Sequence, residues 1–145
     1  MPKMNISRSI EINAPVGQVF PKLNDLNHWK TWSPWLILEP ETKVIVRDDA
    51  KYYEWEGERT GSGNMTITSE KENESLAIDL VFLKPWKSKA KVGFNLKPVG
   101  DKTKVTWTMD SSMPFFMLFM KSMMEAFIGM DYERGLKLLK DYVED

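Results

Sequence analysis

The feature that most constrains the fold of this chain is an alternation of apolar and polar side chains between positions 87 and 110. From Lys87 to Lys97 the apolar side of the pattern is formed by Ala90, Val92, Phe94 and Leu96. After a turn at residues 98–101 the alternation resumes, and its apolar side is Thr103, Val105, Trp107 and Met109. A period of two residues predicts β-strands with one buried and one solvent-exposed face.

Five further segments favour strands of the same sheet. They cover residues 5–13, 43–47, 52–58, 63–70 and 75–84, and from position 43 onward only short turns separate them. Short connections are typical of an antiparallel meander, because parallel strands need long crossovers. The sequence therefore predicts a six- or seven-stranded antiparallel sheet with one apolar face.

Helical patterns occur after the first strand and near the C-terminus. Residues 15–25 place apolar side chains at helical spacing, but Pro21 lacks a backbone donor, so we expect a short, kinked helix. A second short turn is predicted from His28 to Trp32. From about Phe116 to Val143 the apolar spacing predicts one long helix that covers the sheet. The predicted fold class is α+β, with residues 1–145 forming a single domain.

Composition argues against several functional classes. The chain has 145 residues, 42% hydrophobic side chains and a net charge of −1, values that suit one globular domain with a sizeable core. It contains no cysteine and one histidine, so thiolate nucleophiles and a histidine-based metal cluster are not expected. Its first residues lack the apolar segment of a signal peptide, and no apolar run approaches the roughly 20 residues of a membrane span. We therefore expect a cytoplasmic protein with neither a metal nor another cofactor.

The predicted C-terminal helix begins with an adaptable apolar surface. Seven of the ten methionines lie between Met109 and Met130, interleaved with four phenylalanines. Because the thioether side chain repacks around irregular shapes, such a helix can form the wall of a cavity. A strongly twisted sheet that curls around one helix leaves a gap where the two surfaces diverge. Ordinary core packing is the alternative interpretation of the same stripe.

The residues predicted to line this cavity come from three parts of the chain. Tryptophans at positions 29, 32 and 35 are expected either to plug one end of the core or to form a lid that stacks on a flat ligand. The strands and the helix contribute the remainder. The predicted ligand-binding set is Trp32, Trp35, Tyr53, Trp55, Met65, Leu80, Phe82, Phe94, Trp107, Met109, Met120, Met123, Phe127 and Asp131.

Asp131 is the weak catalytic candidate in this set. It follows Phe127 by four residues on the predicted helix, so its carboxylate either faces the cavity, as a general acid or a hydrogen-bond partner, or forms a salt bridge at the rim. A cavity tyrosine is an alternative acid or base. His28 has no obvious orienting carboxylate beyond Asp25, and we expect a surface or capping role for it.

Two other features bear on possible partners. A row of lysines at positions 87, 89 and 91 is typical of a solvated strand face, and the near-zero net charge argues against nucleic-acid binding. Residues Met113 to Met120 are continuously apolar. Burial of that segment against the sheet is the default expectation, whereas exposure would support transient membrane contact or a mobile gate. The oligomeric state is left open by the sequence.

Five segments spread over nearly the whole chain carry a family resemblance. They are Ile10-Glu-Ile-Asn-Ala-Pro-Val-Gly-Gln-Val-Phe20, Asn27-His-Trp-Lys-Thr-Trp-Ser-Pro-Trp35, Trp55-Glu-Gly57, Gly61-Ser-Gly-Asn-Met-Thr-Ile67 and Gly135-Leu-Lys-Leu-Leu139. Together they resemble the START-like, or polyketide cyclase/dehydrase (SRPBCC), superfamily. This resemblance implies a helix-grip fold, in which a seven-stranded antiparallel sheet wraps the C-terminal helix around a hydrophobic cavity. The superfamily includes lipid carriers, plant hormone and allergen-type binders, aromatic polyketide cyclases and a chaperone-ATPase activator branch.

The residues and the resemblance together predict binding of an apolar small molecule, lipid-like or polyketide-like, between the sheet and the C-terminal helix. Two alternatives stay open. One is a polyketide cyclase or dehydratase-type enzyme that uses the same cavity. The other is a protein-binding module resembling the chaperone activators, which predicts a filled core and an exposed apolar patch. Binding without chemistry is the preferred hypothesis.

Overall fold

The computed structural model describes residues 3–84, 87–112 and 121–144. Its strands are β1 (Lys3–Ile12), β2 (Lys43–Val46), β3 (Tyr52–Gly57), β4 (Gly61–Lys71), β5 (Ser75–Lys84), β6 (Ser88–Val99) and β7 (Lys102–Ser112). Its helices are α1 (Val16–Asn24), α2 (Trp29–Trp32), α3 (Pro34–Leu38) and α4 (Lys121–Glu144), with a 3-10 turn at Leu26–His28. The predicted helix start at Phe116 and the candidate Met120 lie outside the described residues, as does the apolar segment 113–120.

All seven strands form one antiparallel sheet in the order β1-β7-β6-β5-β4-β3-β2. Strands β2 to β7 follow one another as a meander, while the segment containing α1, α2 and α3 carries the chain from one edge of the sheet to the other. The first and last strands are therefore neighbours. The predicted α+β class is confirmed, with seven strands and the helix-grip arrangement.

The apolar side of the alternating pattern forms the inner face of the sheet. Phe94 lies opposite Leu76 on β5 and opposite Trp107 on β7, so large side chains line up across three strands. The eight apolar-side residues predicted on the two strands are all buried: Ala90, Val92, Phe94, Leu96, Thr103, Val105, Trp107 and Met109. The strand assignments in this part of the chain are therefore confirmed.

Two indole groups tie the short helices to each other. The Nε1–H of Trp29 donates to the carbonyl of Leu23 at 3.0 Å, and that of Trp32 donates to the carbonyl of Lys22 at 3.3 Å. Both carbonyls lie in the last turn of α1, where no further helical N–H is available to them. Helix α1 is short, as predicted, and it continues through Pro21 to Asn24.

Helix α4 lies alongside β1. Carboxylates of the helix accept hydrogen bonds from backbone N–H groups of that strand or its end, Glu125 from Asn5 at 3.2 Å and Glu144 from Asn13 at 2.9 Å. Because β1 is an edge strand, its outward N–H groups have no strand partner, and the helix supplies acceptors instead. These contacts help to fix the position of α4 beside the inner face.

The buried face of α4 differs from the predicted stripe. Tyr132, Leu136 and Leu139 are buried, whereas Met123 and Phe127 are 48% and 60% exposed. The side chains of adjacent helix residues point about 100° apart. Shifting the predicted buried set by one position along the sequence therefore moves it to a different face of the helix. The structure thus corrects the sequence-based choice of Met123 and Phe127 as inward-facing residues.

Two glycines of α4 are buried and provide a matched test of how the helix packs. A Cβ at Gly135 would lie 2.8 Å from Cζ3 of Trp107 and 3.0 Å from Cδ of Pro34, both in rigid rings. A Cβ at Gly129 would instead overlap the guanidinium of Arg8, the mobile end of a long side chain. Alanine at either site raises the helix propensity of α4. Only at Gly135 must the rings of Trp107 and Pro34 move away to make room for the methyl group.

We expect Gly135→Ala to lower the free energy of unfolding by about 2 kcal/mol, and Gly129→Ala to change it by less than about 1 kcal/mol. Urea unfolding followed by circular dichroism measures both variants. Equal effects at the two positions would contradict this account of helix packing, because the two glycines differ chiefly in the rigidity of what a methyl group would meet.

Candidate functional site

A cavity of about 240 Å³ lies between the inner face of the sheet, the α2–α3 segment and α4. Its wall is predominantly apolar. Eight members of the predicted ligand-binding set line it: Trp35, Tyr53, Trp55, Met65, Leu80, Phe82, Trp107 and Met109. The sheet thus supplies most of the surface that the strand pattern indicated.

Two other members of the predicted set lie in the core beside the cavity. Trp32 and Phe94 are fully buried and are absent from the described lining. The ring centroid of Trp32 is 5.5 Å from that of Trp107, and that of Phe94 stacks on Trp107 at 5.1 Å. Both side chains therefore support a wall residue from behind. In this position Trp32 matches the plug interpretation of the tryptophan segment.

Asp131 lies at the rim and is absent from the described lining of the cavity. Its carboxylate accepts a hydrogen bond from Nε1 of Trp35 at 3.2 Å and lies 3.5 Å from the guanidinium of Arg134. This geometry corresponds to the salt-bridge alternative that the sequence left open. The inward-facing positions on this part of α4 belong to Ile128 and Tyr132. Asp131 holds the indole of Trp35 in place on the wall.

Eight residues of the described lining are absent from the predicted ligand-binding set: Trp29, Ser33, Leu36, Arg59, Thr60, Val92, Ile128 and Tyr132. Val92 shares a strand face with Phe94, so the alternation itself contained the signal for it. Ile128 and Tyr132 could be predicted as lining residues only if the buried face of α4 were known. Arg59 and Thr60 belong to a turn, and Ser33 lies between two short helices, where no periodic pattern reports which way a side chain points.

Stacked aromatic rings form the most rigid part of the wall. Trp107 stacks on Tyr132, with ring centroids 3.8 Å and ring planes 9° apart, and on Phe94, with values of 5.1 Å and 20°. Trp29 and Trp35 meet Trp107 edge-on at 6.2 and 5.8 Å. Stacked and edge-to-face pairs add stabilisation beyond the area they bury. The cluster therefore makes this part of the wall rigid and apolar.

Two tyrosines place hydroxyl groups in this apolar surrounding. Tyr53 and Tyr132 are 5% and 2% exposed, and neither hydroxyl hydrogen-bonds to another described residue. Burial raises the pKa of both phenols, because the charged phenolate is poorly solvated there. Both groups stay protonated at neutral pH. They are suited to donating a hydrogen bond and poorly suited to acting as a base.

A buried carboxylate fixes the turn that brings Arg59 and Thr60 to the cavity. Glu39 follows α3 and accepts hydrogen bonds from the backbone N–H groups of Glu58, Arg59 and Thr60 at 2.9–3.1 Å. The hydroxyl of Thr42 donates to the same carboxylate at 3.2 Å. The hydrogen bond from the backbone of Thr60 is the largest cause that lowers the pKa of Glu39.

This pKa shift predicts a pH-dependent contribution to stability. A carboxyl group with a lowered pKa in the folded state stabilises the fold above its unfolded-state pKa, near 4.5, and loses that contribution as the pH falls toward the folded-state value. We expect Glu39→Gln to lower the urea midpoint clearly at pH 7, and the difference from the unsubstituted protein to shrink as the pH falls from about 5 to about 3.

Glu58→Gln is the matched control, since that side chain lies on the same turn, is exposed and makes no hydrogen bond to another described residue. It should leave the urea midpoint at pH 7 unchanged. A Glu39→Gln effect that stayed constant with pH would show that the carboxylate charge is not what holds the turn.

Other chemistry-bearing groups lie away from the cavity. Nδ1 of His28 lies 2.7 Å from the hydroxyl of Tyr142, which links the 3-10 turn to α4. Within the described ranges, no group of three or more histidine, aspartate or glutamate side chains is arranged to hold a metal ion. Across those same ranges, no helix is long and apolar enough to cross a membrane. Lys91 of the lysine row pairs with Asp79 at 2.7 Å.

Comparison with known proteins agrees with the fold described above. The family model described as "Polyketide cyclase / dehydrase and lipid transport" matches residues 3–144. No curated protein sequence matches the chain significantly. Three similar solved structures each align over nearly the whole of both chains.

The protein XoxI from Bacillus cereus has a TM-score of 0.74 at 14% identity, covering 98% of this chain and 96% of that one. The Aha1 dimer from Colwellia psychrerythraea has a TM-score of 0.70 at 19% identity, with coverages of 97% and 96%. A START superfamily protein from Mycobacterium smegmatis has a TM-score of 0.64 at 20% identity, with both coverages 97%. At these identities the likeness shows the fold alone.

Proposed function

Because this chain belongs to the polyketide cyclase / dehydrase and lipid transport family, we propose that its cavity binds a small, flat apolar molecule without transforming it. The composition of the cavity wall carries the proposal. Tryptophan, tyrosine, phenylalanine, methionine and aliphatic side chains dominate the described lining, and two stacked rings form a rigid part of it. Ligand sites for small molecules are mostly apolar surfaces of this kind, with a few placed polar groups.

The volume of the cavity limits the ligand. An engineered apolar cavity of about 150 Å³ holds a benzene molecule, so 240 Å³ suits a ligand of about one to two fused rings or a short aliphatic chain. A long acyl chain or a four-ring polyketide is larger than this space. We therefore favour a small aromatic or alicyclic ligand over a complete lipid.

The distribution of titratable groups favours binding over catalysis. The described lining of the cavity contains no carboxylate and no histidine. Asp131 is engaged by Trp35 and Arg134 at the rim, and the buried tyrosines keep their protons. General acid–base catalysis needs a group that exchanges a proton near the working pH, within hydrogen-bond reach of the substrate. The described wall offers hydrogen-bond donors instead.

Tetralin, a two-ring hydrocarbon, is a suitable probe of the proposed site, and isothermal titration calorimetry measures its binding. We expect the protein to bind it and Val92→Phe to weaken binding at least about ten-fold, because the added ring occupies a large part of the cavity. Val81→Phe adds the same ring on the neighbouring strand β5, at a position outside the described cavity lining, and should leave binding unchanged.

Native mass spectrometry of the protein purified from its own organism, compared with a denatured aliquot, would identify a resident ligand. A released apolar compound of one or two rings would support the proposal. Absence of tetralin binding to the unsubstituted protein, or equal binding by Val92→Phe, would contradict it.

A further inference from the structure

Thr60 joins two hydrogen bonds that together link a residue outside the cavity to the cavity wall. Its backbone N–H donates to the carboxylate of Glu39 at 2.9 Å, and its carbonyl oxygen accepts from Nε1 of Trp55 at 3.1 Å. Because both backbone groups belong to the same residue, a displacement of the turn at Glu39 also moves the acceptor of the Trp55 indole. The orientation of this indole therefore depends on Glu39.

Glu39 itself lies outside the cavity. It is absent from the described lining and belongs instead to a surface groove that shares Arg59 with the cavity. The turn between β3 and β4 thus separates the groove from the cavity. A ligand in the cavity would meet Trp55 and Thr60, which belong to the described lining, but not the carboxylate of Glu39.

The surroundings of the carboxylate leave it little room to move. Glu39 is 8% exposed, and it accepts hydrogen bonds from three backbone N–H groups of the turn and from the hydroxyl of Thr42. A Cβ at Gly57 would lie 2.5 Å from Oε1 of Glu39 and 2.9 Å from Oγ1 of Thr42. Since close-packed groups resist small displacements, the carboxylate holds the turn in one position.

The indole of Trp55 is packed closely against the sheet as well. Its ring meets Phe82 edge-on at 5.8 Å, and the ring centroid of Tyr53 lies 5.9 Å away. A Cβ at Gly63 would lie 2.6 Å from Cη2 of the indole, so β4 fits directly against the ring. Rotation of the indole would therefore disturb Tyr53 and Phe82, which also line the cavity.

We propose that Glu39 is a positioning residue for the ligand, because through Thr60 it holds the Trp55 indole in the orientation that the bound molecule meets. This inference rests on the proposed binding function and assigns control of the wall to a carboxylate that the ligand does not touch. A wall that is ordered before the ligand arrives raises affinity, because binding then requires no further ordering. Loss of the charge on Glu39 should weaken binding although every lining residue is unchanged.

The test is a double-mutant cycle that measures tetralin affinity by isothermal titration calorimetry. Glu39→Gln keeps the size of the side chain but removes the charge that strengthens its hydrogen bonds, and we expect affinity to fall about five-fold. Trp55→Phe keeps a ring but lacks the indole N–H. In that background Glu39→Gln should change affinity by less than about two-fold, because the link to the wall is already broken. A merely structural role of Glu39 would lower affinity equally in both backgrounds.

The indole N–H resonances of the ¹⁵N-labelled protein provide a readout that needs no ligand. The resonance that is absent in Trp55→Phe belongs to Trp55, and we expect Glu39→Gln to shift it more than those of the other tryptophans. Thr42→Val is a milder second variant, since it removes one donor to the carboxylate and leaves the three backbone hydrogen bonds in place. It should shift the same resonance by a smaller amount and weaken tetralin binding about two-fold.

Glu58→Gln is the matched control, since this exposed side chain lies on the same turn and makes no hydrogen bond to another described residue. It should leave the affinity and the Trp55 resonance unchanged. Unaltered tetralin affinity in Glu39→Gln, equal losses in both Trp55 backgrounds or an unshifted Trp55 resonance would overturn the positioning role and leave the binding function intact. Failure of the unsubstituted protein to bind tetralin would remove the binding function and, with it, the role of Glu39 in binding.

Discussion

Gly63→Ala is expected to lower the free energy of unfolding by about 3 kcal/mol, because a methyl group at this position meets backbone as well as a rigid ring. The added Cβ would overlap the carbonyl oxygen of Val81 and would lie 2.6 Å from Cη2 of Trp55. Gly63 pairs with Trp55 on β3 and with Phe82 on β5, and the two rings meet edge-on at 5.8 Å. The missing side chain is what lets these rings approach each other across β4.

Urea unfolding measures the loss of stability, and tetralin titration measures the accompanying change at the cavity, since Trp55 and Phe82 both line it. Gly17→Ala is the control: Gly17 lies in α1 with no atom within 4 Å of an added Cβ, so alanine should stabilise by up to about 1 kcal/mol. A Gly63→Ala protein as stable as the unsubstituted one would show that β4 and the Trp55 ring move apart easily.

Trp107→Ala is expected to lower the free energy of unfolding by about 4 kcal/mol, at the upper end of large-to-small core substitutions. Trp107 is 1% exposed and its ring contacts five other aromatic rings, those of Trp29, Trp32, Trp35, Phe94 and Tyr132. Removing it deletes buried area and both stacking interactions at once. Near-ultraviolet circular dichroism should lose most of its aromatic signal, because coupled rings generate it.

Trp35→Ala is the control variant. It tests whether the loss of stability depends on the central position of Trp107 or would follow from removing any tryptophan of the cluster. Trp35 is only half-buried and meets two rings, Trp107 and Tyr132, together with Asp131 through its N–H. We expect a loss of about 2 kcal/mol. Equal losses of stability for the two variants would mean that Trp107 is no more important to the aromatic cluster than Trp35. A loss below about 1 kcal/mol for Trp107→Ala would mean that the neighbouring side chains move in and fill the cavity left by the ring.

The strands of the inner face were predictable because their signal is local. Each of Val92, Phe94, Val105 and Trp107 stands two residues from the next apolar side chain, and the pleat places such residues on one face whatever the rest of the chain does. Covering that face required one long helix, and the described part of the chain contains one, α4. Much of the sheet wall of the candidate site therefore followed from periodicity alone.

The helix wall was less predictable because hydrophobicity alone chose the wrong phase. Phe127 and Met123 are larger and more apolar than Gly129 and Gly135, yet the glycines are buried and the larger residues are exposed. Close approach of α4 to the rings of Trp107 and Pro34 needs a position without a side chain, which Gly135 provides. A sequence pattern shows how apolar a residue is. It does not show that a glycine is needed at a position, because that depends on which surface packs against the helix there.

The polar positions of the site depend on contacts between segments that are distant in the sequence. Arg59 and Thr60 reach the cavity because the carboxylate of Glu39, about 20 residues earlier, gathers their backbone N–H groups. Ser33 belongs to the wall because of its position between α2 and α3. None of these relations repeats along the chain, so no period reveals them.

By itself, the sequence of this protein determined a six- or seven-stranded antiparallel sheet with one apolar face, short helices after the first strand and a long final helix, since strand and helix periods arise from backbone geometry shared by all chains. Only the tertiary structure decided which face of α4 is buried, that Asp131 lies at the rim, and that Oγ of Ser33 and Nε1 of Trp107 are buried without partners. Those outcomes depend on the shapes of surfaces that meet across long sequence distances, and close packing makes them sensitive to single atoms.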